Sequence, residues 1–329
     1  MPELPEVQIV VSELNRKLKN KTIKQVVVTK PKMVSVGPHV VSNIRQVESY
    51  KVKKFIKLLI GQRFLSVKRR AKLLIFDLSQ PSLSSLRSHF GGVGKLRRAS
   101  RPLSMLVHLK MTGQFIYEDK KLRQRMGSKY RIINKLTAPL VQLPSKYTHV
   151  IFYFTDKSVL YFNDLRQFGY LKLVRDDELN QVPELNAYGP EPLSKAFTLL
   201  LFYAAAQKGN KRTIKQMLMD PKVVAGIGNI YSDEILFHAK ILPNRRVDTL
   251  DKKEIGAIYK QIRPVLKTAI KYKGSSVGDF VRTDGAWGSM GKHHFVYGRK
   301  GQPCKHCGTI IKSIKLGGRT ASFCPNCQA

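Results

Sequence analysis

Acidic residues are scarce in this 329-residue sequence: 22 Asp and Glu stand against 59 Lys and Arg, a formal charge of +37. The last 39 residues carry seven Lys or Arg and no acid at all. Ordinary surface solvation does not call for such an excess, so a polyanionic partner is expected. Nucleic acid fits best, because the basic residues are spread through globular sequence and not gathered on one amphipathic membrane helix. A lysine-favouring genome would raise Lys without suppressing Glu so far. Long apolar runs are also missing, none approaching the ~18 residues of a membrane span. The opening MPELPEV lacks the basic stretch and apolar core of a secretory signal, which places the expected location in the cytoplasm. Cysteine is absent from the first 303 residues.

What is present suggests more than one domain, since the length is about twice that of a typical single domain. Residues 2–20 read as a helix, with proline in the first turn, Glu3 and Glu6 suited to the dipole, and Val7, Val10, Val11, Leu14 and Leu18 forming an apolar stripe. From Ile23 to about Leu173 the pattern is short β-like runs, among them 73–78, 106–109, 150–154 and 171–174. Two stretches inside this half, near 79–104 and 119–147, read as basic inserted loops. The first has seven serines and five basic residues; the second has eight basic residues and a single acid, Asp119. Past a turn-rich linker around Pro183 to Pro192, helical periodicity returns in 196–208, 211–219, 230–239 and 251–272. The turn Gly226-Ile227-Gly228-Asn229 between two of these helices offers amides and a positive helix end to a phosphate, although such turns are often only structural.

All four cysteines fall in the last 26 residues, as Cys304-x2-Cys307 and Cys324-x2-Cys327. Two such knuckles bring four thiolates to one tetrahedral Zn2+, a closed and therefore structural site, and the cytoplasmic context disfavours disulfides. Lys312, Lys315 and Arg319 lie between the pairs, where they suit phosphate contact. At the other end, removal of the initiator Met would expose the secondary amine of Pro2 beside Glu3 and Glu6. Such an amine attacks carbon to give an iminium if part of it is unprotonated. Taken alone, proline and glutamate are favoured at a helix start whatever the chemistry.

Several motifs settle the choice. PELPEV at 2–7, Arg69-Arg70-Ala71-Lys72, His108-Leu109-Lys110-Met111-Thr112-Gly113 and Arg166-Gln167-Phe168-Gly169 closely resemble, in order, those of bacterial formamidopyrimidine-DNA glycosylases. So do Tyr188-Gly189-Pro190-Glu191-Pro192-Leu193, Gly226 to Tyr231, Val296 to Gly301 and the closing four-cysteine finger. The resemblance covers nearly the whole chain apart from the two insertions. It implies an α+β multidomain architecture: an N-terminal β-sandwich with flanking helices at 1–180, a helix-two-turn-helix DNA-binding domain at 181–290 and a β-hairpin zinc finger at 291–329. It also implies a monomeric bacterial base-excision-repair enzyme, nucleoid-associated, acting on double-stranded DNA with an oxidised base or abasic site.

By the same resemblance Pro2 attacks C1′ of an oxidised purine nucleoside such as 8-oxoguanine or a formamidopyrimidine. Glu3 supplies acid to the sugar ring oxygen, Glu6 serves the proton network, and β,δ-elimination follows. Lys72, Asn229 and Arg319 match phosphate-gripping positions, while Met111, Arg166 and Phe168 match the side chains that fill the void left by an everted base. Lys110 stands where a glycine is usual and Gln167 where a second arginine is usual. Residues Thr283 to Phe295, with Trp287, His293 and His294, correspond to a flexible lesion-capping loop, and the two histidines read as solvated. Competing readings are an endonuclease VIII-like enzyme for oxidised pyrimidines, disfavoured by Leu4 in place of glycine, and a catalytically silent DNA-binding zinc protein.

Overall fold

A computed structural model of the chain describes residues 1–39, 49–79, 102–130, 140–207, 211–276 and 280–329. Helix α1 (Leu4–Leu18) opens it, with Pro5 in its first turn and Arg16 and Lys17 in its last, as the helix dipole favours. Its stripe of Val7, Val10, Val11, Leu14 and Leu18 is buried. At ~1.5–3 kcal/mol per buried aliphatic side chain, that stripe outweighs the ~1 kcal/mol of a helix cap.

The stripe packs into a sandwich of two sheets. One has four strands in the order β1 (Ile23–Val28), β9 (Thr148–Phe154), β10 (Val159–Asp164) and β6 (Gly113–Glu118), all antiparallel. The other has five, in the order β2 (Val34–Val36), β11 (Tyr170–Arg175), β5 (Leu103–His108), β4 (Leu73–Leu78) and β3 (Phe64–Arg70). Helix α2 (Ser49–Leu59) flanks the sheets. Phe64, Phe76, Phe115, Phe152 and Phe162 fill the space between them together with α1.

The first expected insertion lies outside the described residues over 80–101, but Leu103 and Ser104, at its end, already belong to β5. The second is more ordered than a loop. Its lone acid, Asp119, caps helix α3 (Lys120–Met126) by accepting from Leu122 N at 2.8 Å. Strands β7 (Lys129–Tyr130) and β8 (Val141–Gln142) then pair, while 131–139 are outside the described residues. Leu122, Tyr130 and Leu143 seal this segment onto the outer face of the four-stranded sheet.

The second half is helical, with α4 (Leu199–Gln207), α5 (Ile214–Met219), α6 (Asn229–Ala239) and α7 (Lys252–Lys271). Leu4, the first residue of α1, belongs to this second core and not to the sandwich core that its helix joins three residues later. The amino terminus is therefore pinned at the junction of the two halves. Strands β12 (Lys312–Leu316) and β13 (Arg319–Phe323) form the closing hairpin. Among the described residues no helix is long and apolar enough to cross a membrane.

Candidate active site

At the junction of the halves lies a cavity of about 480 Å³, lined among others by Met1, Glu3, Lys72, Met111, Asn229 and Arg319. Pro2 is buried between Met1 and Glu3. Glycines bring the amino terminus this close: Leu4 N donates to Gly226 O at 3.0 Å, and a Cβ on Gly226, whose φ is +88°, would lie 2.8 Å from the Leu4 side chain.

Glu3 is 2% exposed and caps helix α6 from outside it. Its carboxylate accepts from Gly228 N at 2.8 Å, Ile230 N at 2.8 Å and Tyr231 N at 3.3 Å. At the helix end whose amides and positive dipole suit an anion, the protein's own Glu3 thus takes three of the amides.

Glu6 lies behind Glu3, outside the cavity lining. It accepts from Glu3 N and Ser275 N, each at 2.9 Å, and from the Tyr231 hydroxyl. Burial raises its pKa, reinforced by the charge of Glu3 and opposed by the hydrogen bonds from Tyr231 and Ser275.

Across the cavity Lys72 follows Ala71 in the turn between β3 and β4 and donates to Ile227 O at 3.1 Å. Its pKa is lowered, first by burial and also by Arg319, against the pull of Glu3 and Glu6. A buried lysine depressed by a second cation is a setting that suits an anion, because a bound negative charge offsets that repulsion.

The turn carrying Lys72 is clamped by Glu191. Arg69 Nη2 lies 2.8 Å from Glu191 Oε2, Ala71 N donates to Glu191 Oε1, and Arg70 reaches the carbonyls of Tyr188 and Gly189 at 2.7 and 2.8 Å. The two motifs Arg69 to Lys72 and Tyr188 to Leu193 hold each other across the halves.

Arg319 begins β13, and helix α6 docks its hairpin. Lys215 is buried against Asp233 and donates to Thr320 O at 2.9 Å, while Asp233 accepts from Ser322 N at 2.9 Å. Glu234 accepts from the amides of Phe295, Val296 and Tyr297 at 2.9, 3.0 and 2.9 Å.

These arrangements accord with comparisons to known proteins. The formamidopyrimidine-DNA glycosylase N-terminal domain matches residues 1–171, its H2TH domain 188–281, and the zinc finger found in FPG and IleRS 301–329. The chain belongs to the formamidopyrimidine-DNA glycosylase family.

Family proteins of Listeria monocytogenes and Shouchella clausii are 35% and 38% identical to it, covering all of this chain and 100% and 99% of theirs. The Lactococcus lactis enzyme in complex with DNA containing an abasic site superposes with a TM-score of 0.75 at 29% identity over 99% of both chains. The Thermus thermophilus enzyme does so at 0.73 and 31%, over 99% of this chain and 98% of that one. The α+β architecture expected from the motifs is the family's, with its N-terminal domain, helix-two-turn-helix domain and zinc finger.

The family's zinc site is well formed. The Sγ atoms of Cys304, Cys307, Cys324 and Cys327 all lie within 4.8 Å of one another, with hydrogen-bond-range pairs at 3.4, 3.5 and 3.9 Å. Zn–S bonds of ~2.3 Å in a tetrahedron place sulfurs ~3.8 Å apart. The four therefore fit one structural Zn2+, leaving no coordination position for a substrate.

Next to the cavity-lining Met111, Arg166 Nη1 lies 3.0 Å from Met111 Sδ and its guanidinium 5.0 Å from the Phe168 ring centroid, so Arg166 contacts both of the other expected void-filling side chains. Phe168 is 45% exposed with no core to explain it. Lys110 and Gln167, the two departures from the usual pattern, have φ of +51° and +56°. Glycine adopts such values freely, whereas lysine and glutamine need support from neighbours.

The segment Thr283 to Phe295 is anchored near its two ends. Thr283 is fully buried; its carbonyl accepts from Tyr117 N at 2.9 Å, and its amide and hydroxyl donate to Glu13 at 3.0 and 2.7 Å. His294 is not solvated: it is 1% exposed, packed edge-on against Tyr297, and burial lowers its pKa to about 4. His293 stacks on Tyr272. Residues 277–279 are outside the described residues.

Proposed function

We propose that the chain removes oxidised purines, such as 8-oxoguanine and formamidopyrimidines, from double-stranded DNA and cleaves the resulting abasic site, with the Pro2 nitrogen as nucleophile. The observation that supports this is the gathering of Glu3, Lys72 and Arg319 around one cavity that Met1 also lines, with Pro2 buried between Met1 and Glu3 in the chain. Removal of Met1, itself a lining residue, would turn the Pro2 nitrogen into a secondary amine at the end of the chain, next to the lining residue Glu3.

The amine attacks C1′ of the everted nucleoside as the base departs; Glu3 takes up the proton lost from the attacking nitrogen and delivers it to the ring oxygen, whose bond to C1′ breaks to leave the iminium. The iminium then acidifies the C2′ proton, so β- and δ-elimination break the 3′ and 5′ phosphodiester bonds in turn. Lys72, Asn229 and Arg319 grip the flanking phosphates. Glu6, whose raised pKa suits it to hold a proton, serves the network behind Glu3. Met111, Arg166 and Phe168 occupy the vacated stack, Arg166 facing the orphaned base. The protein works as a cytoplasmic, nucleoid-associated monomer, divided at 1–180, 181–290 and 291–329.

The test is borohydride trapping of the Met-processed protein on a duplex carrying 8-oxoguanine opposite cytosine. A covalent adduct mapped to Pro2 is expected. An adduct only on an oxidised pyrimidine overturns the purine assignment, and none on any lesion or abasic site overturns the enzyme.

A further inference from the structure

The three void-filling side chains sit on two separate turns, and both turns cross between the sheets at one end of the sandwich. The first, from His108 to Gly113, joins β5 to β6; the second, from Asp164 to Tyr170, joins β10 to β11. Both contain a non-glycine residue at positive φ, Lys110 and Gln167. Such turns persist only where the surroundings over-determine them.

One buried carboxylate does this for both. Asp164 has no exposed surface. Its Oδ1 accepts from the hydroxyl of Thr112, the residue after Met111, and from Arg166 N at 3.2 Å. Its Oδ2 accepts from Gly169 N, the residue after Phe168, at 2.7 Å. Arg166 N also donates to the Thr112 hydroxyl at 2.9 Å, closing the network. A Cβ on Gly169 would lie 3.0 Å from Asp164 Oδ2 and 2.9 Å from the Phe162 ring, so that residue must be glycine for the carboxylate to reach its amide.

We infer that Asp164 is the positioning residue that couples the Met111 turn to the Arg166–Phe168 turn, so that the three side chains enter the DNA as a unit. This rests on the void-filling reading of those side chains. Asp164 touches neither substrate nor Pro2; it acts through Thr112, Arg166 and Gly169. Asp164→Asn keeps the shape but removes the charge and turns one acceptor into a donor that meets an N–H or a hydroxyl hydrogen.

The consequence is confined to substrates with a stack to fill. For the zinc-loaded, Met-processed Asp164→Asn protein, single-turnover excision of 8-oxoguanine opposite cytosine should fall roughly ten- to a hundredfold, as expected when charge-assisted bonds are lost. Preference for cytosine over adenine opposite the lesion should narrow with it. Cleavage at an abasic site in single-stranded DNA, which has no stack, should stay within about twofold.

Equal loss of both activities would show Asp164 to be a general structural residue, and unchanged duplex excision would show that the turns hold without it; either overturns the inference. Met111→Ala, measured in parallel, reports separately on void filling. If its duplex excision is normal, the void-filling reading fails and the inference with it; if Met111→Ala shows a duplex-only defect while Asp164→Asn loses both activities equally, the reading stands and the coupling alone fails.

Discussion

Gly228→Ala adds one methyl group and tests whether the placing of Glu3 governs the reaction. Gly228 precedes α6 with φ −136° and ψ −152°, an extended conformation open to alanine, so the backbone itself is unstrained by the change. The new Cβ would nevertheless lie 2.4 Å from Glu3 Cδ and 2.5 Å from Oε1, where real contacts do not come within 3.0 Å. The carboxylate must retreat by about 0.6 Å, the difference between 2.4 and 3.0 Å, or the helix must shift by as much. Either movement loosens the three bonds from Gly228, Ile230 and Tyr231. Hydrogen bonds to a charged group contribute ~1.5–3 kcal/mol each, so losing the equivalent of one or two costs about 3 kcal/mol. At ~1.4 kcal/mol per decade, single-turnover excision of 8-oxoguanine should slow by about two orders of magnitude. Gly256→Ala in α7 is the matched control, since its Cβ meets nothing within 4 Å. It should add ~0.5–1 kcal/mol of stability, read as a raised thermal midpoint, with unchanged rates. Excision by Gly228→Ala within threefold of the parent would refute the argument that the amide cradle sets Glu3's role.

Two further outcomes follow from the same geometry. His108 has its pKa pushed down to about 3 by burial, then by Lys110 and Lys72, and its Nδ1 accepts from Lys110 N at 2.9 Å. Its share of stability is thus present in full above the unfolded value of ~6.5 and is lost as pH falls towards the folded one, because the unfolded chain takes up the proton first. Urea titrations from pH 7 to 4 should show a decline that is shallower in His108→Gln; parallel profiles would contradict this. Chelation of the zinc should free four titratable thiols and release the hairpin that carries Arg319. Duplex affinity should fall with it, and a chelated protein that still binds and excises normally would separate the finger from the site.

The parts of this molecule legible in its sequence were those with a local signature. Helix α1 announced itself by a stripe at helical spacing, the zinc site by two knuckles, and the helices of the second half by periodicity within a few residues of their ends. Glu3, Lys72, Met111, Asn229 and Arg319 were named from motifs, and they meet around one cavity.

The supporting residues escaped because their partners are distant in the chain. Glu191 completes a turn 120 residues earlier, and Tyr231 reaches Glu6 across 225. The Lys215–Asp233 pair matters through Thr320 and Ser322, in a hairpin 105 and 89 residues further on. The role of Glu3 at the Gly226 to Asn229 turn has the same origin. An exposed helix end with two glycines is an anion site on local evidence, and only the fold reveals that Glu3, 225 residues away from Gly228, is the anion. A carboxylate from the amino-terminal helix thereby spans the junction between the sandwich and the helical core. The arrangement that aims the proposed acid is also one of the bonds holding the two halves together, so perturbing the cradle should register in stability as well as in rate.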